Sequence, residues 1–408
     1  MVFTSVFSWR RLTAAVMLGC SLATLAGCKD DDDDNPPATT TLADAKKGAV
    51  GTYGRIAFAA YSDALSAAQA LDAKARDFVA APTEPQFAEL KRLWLVARAP
   101  YSQTEATRFY ADSPVEAYEG EVNSWPMDEN FVDYVFDAAG GLVPSGLIND
   151  PATYPVINTA LIQTQNQNPD EKNVTAGYHA IEFLLWGQDR SATGPGERPW
   201  TDYVTGAGGT ALNQTRRGEY LLVCTGLLVS QLQAVTADWA PGNAANFRAR
   251  FEAMPADSAL YRIFLGLGSL SDGELASERI EPAYVLKAQE QEHSCFSDNT
   301  DEDIRLNQVG IENMLLGRYR RPDGTEISGP SLLAAIRVAD GGRADAQLAA
   351  TTLASTTTAA IENPFDQEFL GPDSAPGRVR LKAAIDALRA QATRLVASAS
   401  SLGIRLNL

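Results

Sequence analysis

The chain is poor in the residues that most often carry chemistry. Its 408 residues include only two histidines and four cysteines. The cysteines form neither a CxxC pair nor a zinc-ribbon spacing, which argues against a thioredoxin-type redox motif and the common structural zinc sites. Cys20 lies in the apolar N-terminal segment, whereas Cys224 and Cys295 could either pair or stay as buried thiols. The scarcity of histidine directs attention to the segments around His179 and His293.

Basic residues are also in short supply. Lysine and arginine number 34 against 51 aspartates and glutamates, which gives a formal net charge of −17. A nucleic-acid partner requires basic patches, so this balance argues against one. It favours a cationic ligand, or it serves only solubility. Beyond the N-terminus we find no segment long and apolar enough to cross a bilayer. Strand-like alternation is nearly absent.

The N-terminal segment has the features of a secretory signal. Arg10 and Arg11 precede an apolar stretch that ends in the sequence LAGC at Cys28. This ending is similar to a lipobox and predicts removal of residues 1–27 and acylation of Cys28, with ordinary cleavage beside an incidental cysteine as the alternative. Residues 28–42 are rich in aspartate, proline and threonine and are interpreted as a tether. We therefore expect a lipid-anchored protein of the bacterial cell envelope, at the outer membrane facing the periplasm or the exterior.

Alanine- and leucine-rich stretches separated by Gly, Pro, Asn and Asp predict an all-α fold. The predicted helices cover 42–80, 84–112, 152–166, 173–187, 211–238, 243–267, 274–295, 302–318, 343–362 and 376–401. A Pro-Asp-Gly turn within 318–327 could close a small β-hairpin. The length after the signal exceeds one comfortable core, so we expect two domains, at 43–240 and 241–408. Long helices with short connections favour antiparallel helical bundles in both.

The first histidine lies in the segment Gly177-Tyr178-His179-Ala180-Ile181-Glu182. On a helix, His179 and Glu182 share one face and can chelate one metal ion. Gly177 lowers the local bulk and allows another helix or a ligand to approach. A His–Glu pair on the surface of a bundle is the structural alternative. The segment lacks the HExxH layout of the common zinc peptidases.

A second cluster consists of Arg98, Tyr101, Glu105 and Arg108. Their offsets of three, four and three place them on one helix face. Such a face could hold an anion or orient a carboxylate that binds a metal. A solvated salt-bridge surface is the alternative. Pro100 is expected to loosen or kink this helix.

The third cluster surrounds His293, with Glu292 and Asp298 as further candidate ligands or neighbours of ligands. The segment that follows is typical of a helix start, with Thr300 as the N-cap and Asp303 in the capping-box position. That interpretation explains the acids of the helix start without a metal, but it does not explain Glu292 and His293. The oxygen-ligand spacing of an EF-hand is missing.

These clusters resemble the imelysin family, also called peptidase M75, which includes bacterial iron-regulated and iron-uptake envelope proteins. The segments that carry the resemblance are 98–105, 125–128, 177–187 and 292–300. The segment 177–187 is similar to the GxHxxE signature, and 292–300 to the second-half signature of the iron-regulated protein A branch. The similarity extends over residues 45–400. Where that branch has a histidine after Asn-Thr, this chain has Asp301, which removes a third imidazole.

The resemblance implies two all-helical domains, each a four-helix bundle, whose motif helices face each other across a central cleft. It assigns His179 and Glu182 to a metal motif and places Arg98, Glu105 and His293 near the cleft. Glu105 and His293 are candidates for completing the metal site as further ligands. We expect a non-catalytic lipoprotein that binds iron, zinc or another divalent metal, or a metal chelate, for uptake. Other envelope iron-uptake components are possible partners. The alternatives are a metallopeptidase of the M75 type, in which the metal activates water, and a structural or adhesion lipoprotein without metal.

Overall fold

The computed structural model describes residues 40–406. The predicted signal, the acylation site Cys28 and nearly all of the tether lie outside these residues and stay predictions. The described residues are predominantly helical, with two small two-stranded antiparallel sheets, so the predicted all-α class is confirmed. The division into domains 43–240 and 241–408 stays a prediction.

The first half of the chain contains three long helices joined by irregular segments. Its helices are α1 (Leu42–Ala80), α2 (Glu84–Thr104), α3 (Glu119–Val122), α4 (Gly146–Asn149), α5 (Thr159–Gln165), α6 (Gly177–Trp186) and α7 (Gln214–Trp239). Single 3₁₀ turns cover Glu105–Thr107, Pro114–Ala117, Glu129–Phe131 and Trp200–Tyr203. Strands β1 (Val135–Phe136) and β2 (Leu142–Val143) pair antiparallel. Helix α1 packs along both α2 and α7.

The described part of the second half contains one helix of 26 residues and seven shorter ones. They are α8 (Phe247–Ala253), α9 (Ala256–Gly268), α10 (Glu281–Leu286), α11 (Thr300–Leu316), α12 (Leu332–Ala339), α13 (Gly341–Thr358), α14 (Asp366–Phe369) and α15 (Pro376–Ser401). A π-helical segment, Ser269–Ile280, joins α9 to α10, and a 3₁₀ turn covers Gln289–Gln291. Strands β3 (Arg318–Arg320) and β4 (Glu326–Ser328) form the predicted hairpin. The backbone N–H of Thr325 donates to Asp323 at its turn.

Several predicted helix boundaries are wrong. The helix expected over 84–112 ends at Thr104, so Arg108 lies beyond it. There the chain passes through a 3₁₀ turn, and Phe109 adopts the left-handed φ of 64°. The helix expected over 243–267 is interrupted at Pro255, whose ring nitrogen cannot donate a helical hydrogen bond. The helix expected over 274–295 ends at Leu286, which leaves His293 in a loop.

Helix α7 is the only helix among the described residues whose length and composition would suit a membrane span. Its most apolar 18-residue window has a mean hydropathy of 1.5, and half of that window is buried inside the protein. The helix contacts α1, α5 and α6. Many of its apolar residues therefore pack in the protein core. The expectation that no segment beyond the N-terminus is long and apolar enough to cross a bilayer underestimated the hydropathy of this helix.

Helices α2 and α11 bring the two halves of the chain together. A Cβ atom on Gly310 would lie 2.5 Å from the carbonyl oxygen of Gln103, so only glycine permits this approach of the two helices. Close by, the Asn307 side chain donates to the carbonyl oxygen of Ser102 at 2.7 Å. This contact holds the start of α11 beside Arg98 of α2.

A buried ion cluster ties an irregular segment to helix α7. Asp133 is fully buried and accepts from the Arg198 guanidinium at 2.7 Å. Arg217 of α7 donates to both of its oxygens, at 2.7 and 2.9 Å. Asn149 adds a further hydrogen bond of 3.0 Å. Since every lone-pair region of the carboxylate is used, this cluster fixes the loops that surround α6.

Lys91 of α2 is expected to give a measurable pH dependence of stability. Burial, with a contribution from Arg198, lowers the pKa of Lys91 to about 8. The folded state thus binds fewer protons than the unfolded state between about pH 8 and 10.4, so this residue makes stability rise with pH across that window. Lys91→Met should raise the free energy of unfolding at pH 7 by roughly 1–2 kcal/mol, with the gain shrinking towards pH ~10.

The measurement is urea unfolding at several pH values, with the exposed Lys47→Met as the matched control. The control should leave the pH dependence unchanged. An unfolding free energy of Lys91→Met that parallels the wild type at every pH would contradict the assignment.

Candidate metal site

Helix α6 begins at a glycine that nothing larger could replace without strain. Gly177 has a φ of +83°, and a Cβ atom there would lie 2.5 Å from the carbonyl oxygen of Val122. The sequence analysis expected this glycine to permit a close approach, and the approaching group is the backbone at the end of α3. The glycine thereby sets the direction in which α6 presents His179 and Glu182.

His179 and Glu182 lie on the same face of α6, as their spacing predicts, and both are fully buried. Nδ1 of His179 lies 2.9 Å from Oε2 of Glu182. The other carboxylate oxygen accepts from the backbone N–H and the hydroxyl of Ser297, at 2.9 and 2.7 Å. Ser297 comes from the loop that precedes α11, so the pair is enclosed within the protein and the surface alternative is wrong.

His293 makes a similar pair with an aspartate. Its Nδ1 lies 2.8 Å from Oδ2 of Asp303, on the first turn of α11. Arg98 donates to Asp303 from Nε and Nη2, at 3.0 and 2.9 Å, and its Nη2 lies 3.2 Å from Nδ1 of His293. Ser294 donates to the same carboxylate at 2.6 Å. Arg98, His293 and Asp303 are all buried.

The two imidazole–carboxylate pairs meet face to edge. The ring centroids of His179 and His293 lie 4.7 Å apart, and the ring planes are inclined by 72°. Each ring uses Nδ1 towards a carboxylate, which leaves Nε2 as the remaining nitrogen. Nε2 of His179 is buried and has no hydrogen-bond partner within residues 40–406. The two histidines, 114 positions apart in sequence, thus share one site.

The electrostatic surroundings keep both imidazoles neutral near pH 7. Burial, reinforced by the neighbouring His293, holds the pKa of His179 well below its usual value. Burial, together with Arg279, lowers the pKa of His293 to about 4. Burial also raises the pKa of Glu182 to about 8. Burial opposes ionisation of Asp303 as well, yet Arg98 and His293 hold its pKa well below the usual range. Neutral imidazole is the form that binds metal ions.

The predicted Arg98 face separates into two parts. Arg98 donates to Asp303 and Asn123, and its predicted role in orienting a metal-binding carboxylate stays a prediction. Glu105, also buried, instead accepts from Arg279 at 2.6 Å and from Arg108 at 3.3 Å. The solvated-surface alternative is wrong, because Arg98 and Glu105 are both buried.

Tyr101 belongs to this second part of the face. Its hydroxyl donates to Glu119 at 2.9 Å, and Arg108 donates to the same carboxylate at 2.7 Å. Glu105, which shares Arg108, is thus held by arginines, and its predicted role as a metal ligand stays a prediction.

The capping-box interpretation of Asp303 is wrong. Helix α11 does begin at Thr300, but Asn299 occupies the N-cap and no side chain caps the helix. The hydroxyl of Thr300 accepts from the backbone N–H of Ser294 instead. Asp303 turns inward to Arg98 and His293. Sequence reasoning missed this residue because a plausible local explanation was available; its place ten positions after His293 was the signal.

Glu292 and Asp298 flank His293 in sequence but face a different neighbourhood. Carboxylate oxygens of Asp189, Asp298 and Asp366 all lie within 4.8 Å of one another, and Glu292 lies beside Asp366. Neither Asp189 nor Asp366 was predicted from the sequence to belong to a site. For Glu292 and Asp298, the predicted role as metal ligands or as neighbours of metal ligands stays a prediction.

A pocket of about 360 Å³ lies near His293. It is lined by Trp125, whose ring centroid is 6.0 Å from that of His293, and by Cys295 and Glu129. The segment 125–128 singled out in the sequence therefore forms a wall of this pocket. Cys295 and Cys224 are both free thiols.

Gly177→Ala is expected to destabilise the protein by about 1–3 kcal/mol, since the left-handed backbone and the contact with Val122 both oppose a side chain. Gly273→Ala is the matched control, because a Cβ atom there meets nothing within 4 Å. The control should be neutral or slightly stabilising. Thermal and urea unfolding measure both variants. Equal unfolding free energies for the two variants would show that Gly177 is not required for its backbone.

Comparison with known proteins gives one family match and one curated relative. The imelysin family model of peptidase M75 matches residues 57–395. Iron-regulated protein A of Synechococcus elongatus is 27% identical over 275 residues, which cover 65% of this chain and 62% of that relative. The chain therefore spans about three fifths of the length of this curated relative.

Two solved structures share the fold. The crystal structure described as that of an iron-regulated protein A precursor from Parabacteroides distasonis superposes with a TM-score of 0.68 at 17% identity, over 90% of this chain and 97% of that chain. An imelysin-like protein from Psychrobacter arcticum gives a TM-score of 0.61 at 14% identity, over 90% and 98%. At these identities the likeness concerns the fold alone.

Proposed function

This chain belongs to the imelysin (peptidase M75) family, and on that premise we propose that it binds a divalent metal ion, iron foremost, between His179 and His293. The observation that carries the proposal is the buried Nε2 of His179, which has no hydrogen-bond partner in the described part of the chain. A buried polar atom normally has a hydrogen-bond partner. An imidazole nitrogen whose lone pair accepts no hydrogen bond is free to bind a metal ion.

The carboxylates behind the two rings support the same proposal. Imidazoles that bind metals usually donate their other ring N–H to a carboxylate, which fixes the tautomer and the ring orientation. Glu182 and Asp303 stand in these positions for His179 and His293. Our proposal therefore gives Glu182 an orienting role, whereas the sequence analysis predicted a direct ligand. Arg98 and Ser297 in turn hold the two carboxylates.

Two imidazoles leave coordination positions open, and water or the oxygens of a chelator would fill them from the neighbouring pocket. Imidazole suits iron as well as zinc, so the donor set alone does not select the metal. The name of the Synechococcus relative, iron-regulated protein A, supports iron. We propose iron acquisition at the cell envelope, with a lipid anchor at Cys28 and with other envelope components receiving the ion or its chelate.

A binding role is favoured over peptidase activity by the state of Glu182. A metallopeptidase needs an open metal position and a separate base that takes a proton from water. Both oxygens of Glu182 accept hydrogen bonds or face His179. The acid of the other pair, Asp303, is held ionised by Arg98. Within residues 40–406, no further acid forms a hydrogen bond or ion pair with either histidine.

The test is elemental analysis and anaerobic Fe²⁺ titration of the purified full chain, with peptide cleavage assayed in parallel. We expect about one bound iron or zinc ion per chain and no metal-dependent cleavage. Absence of bound metal after Fe²⁺ or Zn²⁺ addition would overturn the proposal. Cleavage that disappears in Glu182→Gln, but persists in the exposed control Glu171→Gln, would replace it with the peptidase.

A further inference from the structure

Four carboxylates converge behind the loop that carries His293. Asp189 follows α6, Glu292 and Asp298 lie in the loop before α11, and Asp366 opens α14. Oxygens of the three aspartates lie within 4.8 Å of one another. Glu292 is fully buried beside Asp366. Three separate segments of the chain thus place four acids around one point.

These acids differ from the other buried acids of the protein in their partners. Asp133, Glu105 and Asp303 are each bound to at least one arginine. Within residues 40–406, by contrast, no lysine or arginine forms an ion pair with any member of the cluster of Asp189, Glu292, Asp298 and Asp366, which we call the acidic cluster. Buried charge without a counter-ion is strongly unfavourable, so these acids must bind either protons or a cation.

Two members of the acidic cluster also lack hydrogen bonds. Both carboxylate oxygens of Glu292, and both of Asp298, are buried without a partner among the described residues. Glu292 is 0% exposed and Asp298 is 4% exposed. A carboxylate has about four lone-pair sites, and leaving all of them empty in a protein interior is rare. Four such oxygens at one place indicate a bound cation that carboxylate oxygens would coordinate.

The geometry of the acidic cluster is supported by its neighbours. The side-chain amide of Gln289 donates to Asp189 and, at 3.0 Å, to the carbonyl oxygen of Ser191, and it lies 3.4 Å from Asp366. Asp298 is held at the left-handed φ of 53°, which is uncommon outside glycine. A non-glycine residue in this conformation is often held there by a functional constraint.

We propose that Asp189, Glu292, Asp298 and Asp366 form a second cation site, which binds a hard divalent ion of the Ca²⁺ type. Donors that are all oxygen favour Ca²⁺ or Mg²⁺ over zinc or iron, which take imidazole readily. Oxygens on opposite sides of Ca²⁺ lie about 4.6–5.2 Å apart, whereas those around Mg²⁺ lie only about 4 Å apart. The oxygens of the three aspartates lie within 4.8 Å of one another, which fits inside a Ca²⁺ coordination sphere. Ca²⁺ is also the ion that accepts several carboxylates at once, whereas Mg²⁺ usually keeps several waters and takes one or two carboxylates.

Such an ion would hold the loop that presents His293 and Ser297. Glu292 precedes His293, and Asp298 follows Ser297, so residues next to each other in sequence face two different sites. Calcium at the acidic cluster would fix both ends of this loop without contacting the bound metal itself. The second site is independent of the proposed iron function, because its ligands differ from the two histidines.

Calcium binding is tested by equilibrium dialysis of the full chain with CaCl₂ at neutral pH, and by thermal unfolding with and without CaCl₂. The wild type should bind one Ca²⁺ with a dissociation constant of about 10⁻⁷–10⁻⁴ M and unfold at a higher temperature when Ca²⁺ is present. Asp298→Asn and Asp366→Asn, which keep the side-chain shape, should each weaken Ca²⁺ binding at least ~10-fold. Asp345→Asn, at an exposed position, is the control and should bind like the wild type.

A Zn²⁺ titration separates this site from the histidine site. In Ca²⁺-free buffer, Asp298→Asn should bind Zn²⁺ as tightly as the wild type, and His179→Ala should keep the affinity for Ca²⁺. Failure of the wild type to bind Ca²⁺ at about 1 mM, or Asn variants that bind Ca²⁺ as tightly as the wild type, would overturn the proposal. If Asp298→Asn does not fold, Asp189→Asn, at a partly exposed position, decides by the same criterion.

Discussion

Replacing His179 with alanine is expected to abolish specific metal binding by this protein. Substitutions behind a metal ligand typically cost 10–100-fold in affinity, and loss of the ligand itself should cost more than that. The measurement is competition of the apo-protein with a chromophoric chelator for Zn²⁺, which is redox-inert and accepts imidazole. His293→Ala should give a loss of the same size, because the rings lie 4.7 Å apart and would share the ion.

The double variant and a control make this result specific. Two ligands of one ion act as a unit, so His179→Ala combined with His293→Ala should lose little more than either alone. Gln347→Ala is the matched control, because Gln347 is a fully buried polar residue that hydrogen-bonds Thr351 on α13. It should leave Zn²⁺ affinity unchanged. Additive losses, or full affinity in either single variant, would show that the histidines do not share a metal.

Asp133→Ala is expected to lower the free energy of unfolding by about 3–5 kcal/mol, since breaking a buried ion pair leaves charge without a partner. Arg198 and Arg217 are both completely buried against this one carboxylate. Arg198 keeps a longer contact with Asp202, at 3.3 Å, whereas Arg217 keeps only carbonyl acceptors. Urea unfolding followed by circular dichroism measures the loss.

An exposed pair provides the comparison for this prediction. Lys382 and Asp386 lie four residues apart on α15, with side chains 54% and 58% exposed. Asp386→Ala should change stability by no more than about 0.5 kcal/mol. Similar losses for Asp133→Ala and Asp386→Ala would mean that burial does not decide the strength of these interactions. A large loss at Asp133 alone would identify its cluster as the support of the loops around α6.

The sequence was most informative where one local rule decided the structure. Helix α15 has the bounds predicted from its apolar stripe, 376–401, and the hairpin around Asp323 and Gly324 was predicted from its turn residues. Likewise the offset of three placed His179 and Glu182 on one face of α6. Helical periodicity and turn chemistry act over a few residues, so a single chain displays them directly.

The remaining features depend on contacts between distant parts of the chain. The contact of Arg98 with Asp303 joins positions 205 residues apart, and no local pattern could reveal it. The end of α2 at Thr104 was missed for a similar reason, because the following segment is shaped by its contacts with α9 and α11. The capping signal at Asp303 was misleading, since tertiary contacts used its carboxylate for another purpose.

The separation between Arg98 and Asp303 has a consequence for biosynthesis. A nascent chain that ends before residue 293 contains one imidazole and neither Asp303 nor the loop that supports Glu182. Such a fragment lacks half of the proposed site between His179 and His293, so truncated or proteolysed chains would not bind the ion there. Under the proposed binding between the two histidines, an ion could therefore be loaded only after α11 has been synthesised.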